Sequence, residues 1–172
     1  MAKNRPLSNL VETLDDFPDM IGDIIQQQGM ARVLEIGCGF GLPMIQLHYK
    51  FGNSLFLYGI NLNHWECSPR HAVISGKQIN VITDPQAEEV ITGKHNNKYL
   101  LADAGVSLPF PSNTFDLIYS RTALGFVKDK VRCVEEIYRV LKPGSVFRCD
   151  ISLISVPHPS PWDTLFIVVK NS

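Results

Sequence analysis

Four polar side chains and one glycine run carry the chemistry that can be read in this chain. Glu35 closes a short apolar run and precedes Gly37, Cys38, Gly39 and Gly41; Asn61, Asp103 and Ser120 each end a later apolar run. Glycines at alternate positions let the backbone adopt conformations closed to other residues and let a ligand lie against bare main chain. Val33 to Ile36 reads as a buried strand, and Leu42-Pro43 opens the apolar segment Met44 to Tyr49 as a helix. Strand, glycine turn and helix N-terminus together make a nucleotide site of the doubly wound type. A dinucleotide fingerprint would need its third glycine where Leu42 stands, so the spacing speaks against a nicotinamide enzyme.

Those residues need a sheet to hold them. Leu55–Ile60, Lys98–Ala102, Phe115–Ser120, a run from about Ser145 to Ser152, and Leu165–Val169 read as further strands. Between the fourth and fifth strands, Val131, Val134, Ile137, Tyr138 and Leu141 share one helical face, and Lys142-Pro143-Gly144 then turns the chain. Alternating strands and helices predict an α/β fold with a doubly wound, mainly parallel sheet. Residues 1–29 form an N-terminal helical segment, Leu7 to Gln28, split at Pro18 and ended by Gly29. It either packs on the sheet or lids the site. Residues 62–97 make a long inserted connection with two helix starts, Ser68-Pro69 and Asp84-Pro85. Beyond the fifth strand, Pro157 to Pro161 turns almost directly into the last one, which predicts an abbreviated C-terminal part.

Bulk properties narrow the class. The 172 residues fit a single domain with a proper core, and 45% apolar content is ordinary for a soluble protein. A net charge of -1 gives no basic footprint for nucleic acid. Cys38, Cys67, Cys133 and Cys149 lie far apart without metal-ligand spacing, which predicts free thiols, a reducing compartment and no metal. Met1 to Leu10 lacks the apolar core of a signal peptide, and no apolar run reaches membrane-spanning length. The expectation is a cytoplasmic protein with no membrane span.

The run Glu35-Ile36-Gly37-Cys38-Gly39-Phe40-Gly41 resembles the first motif of class I S-adenosylmethionine-dependent methyltransferases. Ala102-Asp103-Ala104, Leu108-Pro109-Phe110-Pro111, Phe115–Ser120 and Val140–Gly144 match that family in order and spacing, so the resemblance spans about Arg32 to Asp150. It implies a Rossmann-like methyltransferase fold with S-adenosylmethionine as cofactor and a small-molecule acceptor. Carried over, Glu35 orders the site and the Gly37–Gly41 turn underlies the methionine part. Asn61, with Leu62 beside it, takes the place of the acid that accepts from the ribose hydroxyls. Asp103 accepts from the adenine amine, the amide of Ala104 donates to the ring, and Ser120 lies near the methionine moiety. Asn61 either faces the ribose diol without charge or opens a turn.

In such chemistry the cofactor supplies the electrophile and the protein supplies placement. A base is needed only if the acceptor must lose a proton. Where many relatives carry a histidine, this chain reads Arg121-Thr122-Ala123-Leu124-Gly125-Phe126. His48, His64 and His71 read as surface or core residues, and Arg121 as an anion ligand or an ion-pair partner. No catalytic residue is assigned. The alternative to an active enzyme is a non-catalytic cofactor-binding or partner subunit of the same fold.

Overall fold

The computed structural model describes residues 6–63, 66, 68–150 and 165–171. Its centre is a pair of strands, β1 (Ala31–Ile36) and β4 (Phe115–Ser120), buried along almost their whole length. Strands covered on both faces read as near-continuous apolar runs, as these do. β2 (Leu55–Asn61) and β3 (Lys98–Leu101) flank β1, while β5 (Leu141–Asp150) and β6 (Leu165–Val169) flank β4. The order is β3-β2-β1-β4-β5-β6. The first five strands run parallel and β6 pairs antiparallel with β5. Strand order reverses between β1 and β4, and open α/β sheets bind ligands at the carboxyl ends beside such a reversal.

Helices cover both faces. α1 (Leu7–Leu14), α2 (Phe17–Gln28) and α3 (Leu42–Phe51) bury Leu10, Leu14, Phe17, Ile21, Met44 and Leu47 against one side. The other side meets α6 (Lys130–Val140) through Cys133, Ile137 and Val140. The 62–97 connection holds two helices, α4 (Pro69–Gln78) and α5 (Asp84–Ile91), whose Ala72, Val73 and Val90 pack on Leu42 and Ile45 of α3.

Several details depart from the sequence expectations. The N-terminal helices separate at Asp15 and Asp16, with Asp15 at φ +60°, and not at Pro18. Pro18 sits in the first turn of α2, where its missing N–H leaves no bond unmade. Gly29 ends α2 at φ +79° as expected. α5 is capped by Thr83, not Asp84: Thr83 and Gln86 exchange side-chain and backbone bonds in a capping box, and Asp84 is already helical. Lys142-Pro143-Gly144 does not leave the sheet. It lies in β5 as an irregularity, Phe115 pairing with Leu141 and Leu117 with Val146. The anticipated end of that strand at Ser152 and the Pro157–Pro161 turn lie outside the described residues.

The largest departure is on α6. Val131, Val134 and Tyr138 are exposed, and the buried stripe is Cys133, Glu136, Ile137 and Val140. A carboxylate therefore faces inward. Glu136 accepts from the N–H of Leu108 at 2.8 Å and from Arg139 at 2.7 Å, and Arg139 also donates to the carbonyls of Leu108 and Phe110. The guanidinium beside it pulls the Glu136 carboxyl down to about 2. This network clips the loop after β3 onto α6, which a pattern of apolar residues alone does not disclose.

Candidate functional site

A cavity of about 550 Å³ opens at the carboxyl ends of β1, β2, β3 and β4. Its floor is the turn after β1, which hangs from the end of β2. The N–H groups of Gly37 and Cys38 both donate to the carbonyl of Ile60, at 2.9 and 3.2 Å. Gly37 has φ +76°, and a Cβ there would lie 2.1 Å from that of Ala123 in the loop after β4. Only a residue without a side chain permits that approach.

Glu35 lies beneath the turn, 4% exposed, and accepts from the Tyr119 hydroxyl at 2.9 Å. Burial pushes its carboxyl up to about 8, against a smaller opposing pull from the Tyr119 hydrogen bond. The Tyr119 phenol is also pushed well up, chiefly by burial. At the end of β2, Asn61 donates from Nδ2 to the Gly39 carbonyl at 2.8 Å, and its Oδ1 accepts a longer bond of 3.4 Å from the Gly39 N–H. Its own carbonyl accepts from Ala102 at 3.0 Å, which joins β2 to the segment carrying Asp103. Asp103 accepts from the Gly105 N–H at 2.8 Å with Oδ1.

Of the residues read from the sequence, Glu35, Gly37, Cys38, Gly39, Asn61, Leu62, Asp103 and Ala104 line this cavity. Gly41 and Ser120 are not among the described lining residues. Gly41 is the N-cap of α3, with its Cβ direction filled by the Tyr99 ring. Ser120 is fully buried and its hydroxyl donates to the Ile36 carbonyl at 3.0 Å, so it ties β4 to β1. The next residues, Arg121, Thr122 and Ala123, reach the cavity instead. Asp116 acts at the base of the sheet, accepting from the Arg32 N–H and from Lys142.

Three further contributions come from residues the sequence does not assign to the site, the first of them in the segment expected either to pack on the sheet or to lid the site. Leu10 of α1 lines the cavity while only 2% exposed, so α1 packs on the core and also forms part of the wall. Asp150, at the end of β5, accepts from the Thr122 N–H and pairs with Arg121 at 3.9 Å. Arg148 donates to the Leu14 carbonyl at 3.0 Å and to Asp16, fixing the break between α1 and α2. No histidine is among the described lining residues. His48 is buried on α3, and His71 stacks on Phe40 with ring centroids 5.1 Å apart. His64 and Trp65 lie outside the described residues. Among the described residues no cluster suits a metal ion and no helix is long and apolar enough to cross a membrane.

Fold and cavity define a doubly wound domain with a nucleotide-type site at its switch point. Residues 34–149 match the family model described as a methyltransferase domain, and the chain belongs to that family. It is 34% identical over 116 residues to cycloartenol-C-24-methyltransferase of Arabidopsis thaliana, covering 67% of this chain and 30% of the relative. It is 29% identical over 164 residues to the mitochondrial arginine-hydroxylase NDUFAF5 of Rattus norvegicus, covering 84% and 40%. Among solved structures, phosphoethanolamine N-methyltransferase 2 of Haemonchus contortus, in complex with S-adenosyl-L-methionine, superposes with TM-score 0.53 at 27% identity. That likeness covers 77% of this chain and 27% of the other. The chain thus spans less than a third of the length of the plant sterol relative.

Proposed function

We propose that this chain binds S-adenosylmethionine in the cavity and transfers its methyl group to a small-molecule acceptor in the cytoplasm. The observation that carries the reading is convergence. Glu35, the Gly37–Gly39 turn, Asn61-Leu62 and Asp103-Ala104 come from three strand ends and line one cavity. The donor set fits the cofactor: an acceptor-only carboxylate at Asp103 suits the adenine amine, and the glycine turn offers bare backbone to the methionine part. When bound, the cofactor supplies an electrophilic sulfonium methyl. The protein's part is to hold cofactor and acceptor in line and keep water out, for which Leu10, Phe126 and Val127 give apolar walls. Relatives named for cycloartenol and phosphoethanolamine support a small-molecule acceptor. The free, buried thiols of Cys133 and Cys149 fit a reducing compartment.

A cofactor-binding subunit without turnover is the second reading, favoured by the absence of histidine from the described lining residues. Labelled-methyl transfer to a metabolite panel separates the two. Methylated product supports the enzyme, whereas tight binding without transfer to any acceptor supports the subunit.

A further inference from the structure

We infer that Asn61 works as a positioning residue: its carboxamide clamps the backbone on both sides of the Gly39 Cα and holds the glycine turn in the shape that receives the cofactor. The family resemblance puts an acid that serves the ribose at this place, and here the side chain has a different task on its own backbone. Asn61 is 8% exposed and addresses Gly39 twice, donating from Nδ2 to the carbonyl at 2.8 Å and accepting from the N–H at 3.4 Å. A side chain that meets both the N–H and the carbonyl of one residue, which belong to successive peptide units, must offer a donor and an acceptor. A carboxamide does; a carboxylate only accepts. Aspartate would bring its charge against the Gly39 carbonyl and forfeit the shorter bond. Gly39 has φ +54° and lies between Cys38, whose N–H is tied to Ile60 of β2, and Gly41, the N-cap of α3, whose N–H bonds back across the turn to the Cys38 carbonyl. Asn61 closes the remaining gap. The chain carries asparagine here because the turn needs a donor.

The inference rests on the cofactor reading for its functional consequence, yet the clamp can be tested without it. Calorimetry with S-adenosylhomocysteine, on the unmutated protein and on Asn61→Asp between pH 5 and pH 8, opposes the two roles. The clamp expects Asn61→Asp to bind about tenfold more weakly at pH 8. It also expects the ratio to recover toward one as pH falls, because a protonated carboxyl regains one donor beside one acceptor. Glu35, Glu66, Asp103 and Arg121 share the cavity and are present in both proteins, so the ratio is the quantity read. Tighter binding of Asn61→Asp at pH 8, or a gap that widens on acidification, overturns the clamp in favour of a ribose acceptor. The second measurement needs no variant and no ligand. A through-hydrogen-bond NMR coupling between the Asn61 side-chain nitrogen and the Gly39 carbonyl carbon supports the clamp, and its absence refutes it. If the unmutated protein binds no S-adenosylhomocysteine while the coupling is present, the cofactor reading fails and the clamp stands.

Discussion

Two turns meet beside the cavity and reach the same backbone region by opposite means. After β1, Gly37 and Gly39 adopt φ +76° and +54°, values a glycine accepts without steric cost. After β4, Thr122 adopts φ +67°, a region that costs a β-branched residue roughly 1–3 kcal/mol. It is held there because its N–H donates to Asp150, which also faces Arg121. The first turn is encoded by residues within it. The second is imposed by a carboxylate at the end of another strand. Local encoding leaves a mark in the sequence, and imposition from a distance leaves none.

The largest effect is expected where the two turns touch. Gly37→Ala puts a methyl group 2.1 Å from the Ala123 Cβ at a positive φ, and should lower stability by roughly 3–5 kcal/mol in denaturant titration. Ala123→Gly should recover part of that loss, since it removes the opposing atom. A double-mutant cycle without coupling would mean that the turns do not meet as described.

Asp150→Ala comes next, at about 2 kcal/mol, because it removes both the acceptor of the Thr122 N–H and the carboxylate that faces the largely buried Arg121 guanidinium. Thermal unfolding of the variant reads the effect. Equal stability would show that the second turn is locally encoded after all.

Beneath the first turn, Glu35 gives a pH signature. The folded chain holds its proton up to about pH 8, whereas the unfolded chain releases it near its ordinary pKa of 4.5. Between those values the folded state binds more protons, so the contribution of neutral Glu35 is full below about pH 4.5 and is lost as pH rises to about 8. Glu35→Gln can still accept from Tyr119 but has no proton to lose. Its stability relative to the unmutated protein should therefore climb from pH 5 to pH 8. A flat difference would mean that Glu35 is ionised in the fold.

Smallest is Thr122→Asn, which tolerates positive φ and keeps the backbone N–H for Asp150. A gain of about 0.5–1 kcal/mol in chemical denaturation is expected, and a loss would show that the threonine side chain repays its strain through contacts.

The same division explains what could be read from the chain. β4 and β6 were legible to the residue, because a continuous apolar run and an alternation of turn signals are local properties. The glycine turn and the two helices of the 62–97 connection were legible for the same reason, whereas Asp103 was singled out only by the family resemblance. α6 was misread because Glu136 is buried, and only the Arg139, Leu108 and Phe110 partners make that burial tolerable. Asn61 was visible as a residue but not as a clamp, since its partner lies 22 residues earlier. Ser120 was placed at the correct strand end, yet its hydroxyl turns to the Ile36 carbonyl.

Calorimetric titration of S-adenosylhomocysteine into the unmutated protein and a folded Gly39→Val variant tests the cofactor cavity most directly. A branched side chain at φ +54° would distort the turn and fill the space above it. Saturable binding to the unmutated protein, abolished in the variant, is the result expected. No binding to the unmutated protein, or undiminished affinity in the variant, would contradict the assignment of the glycine turn to the cofactor.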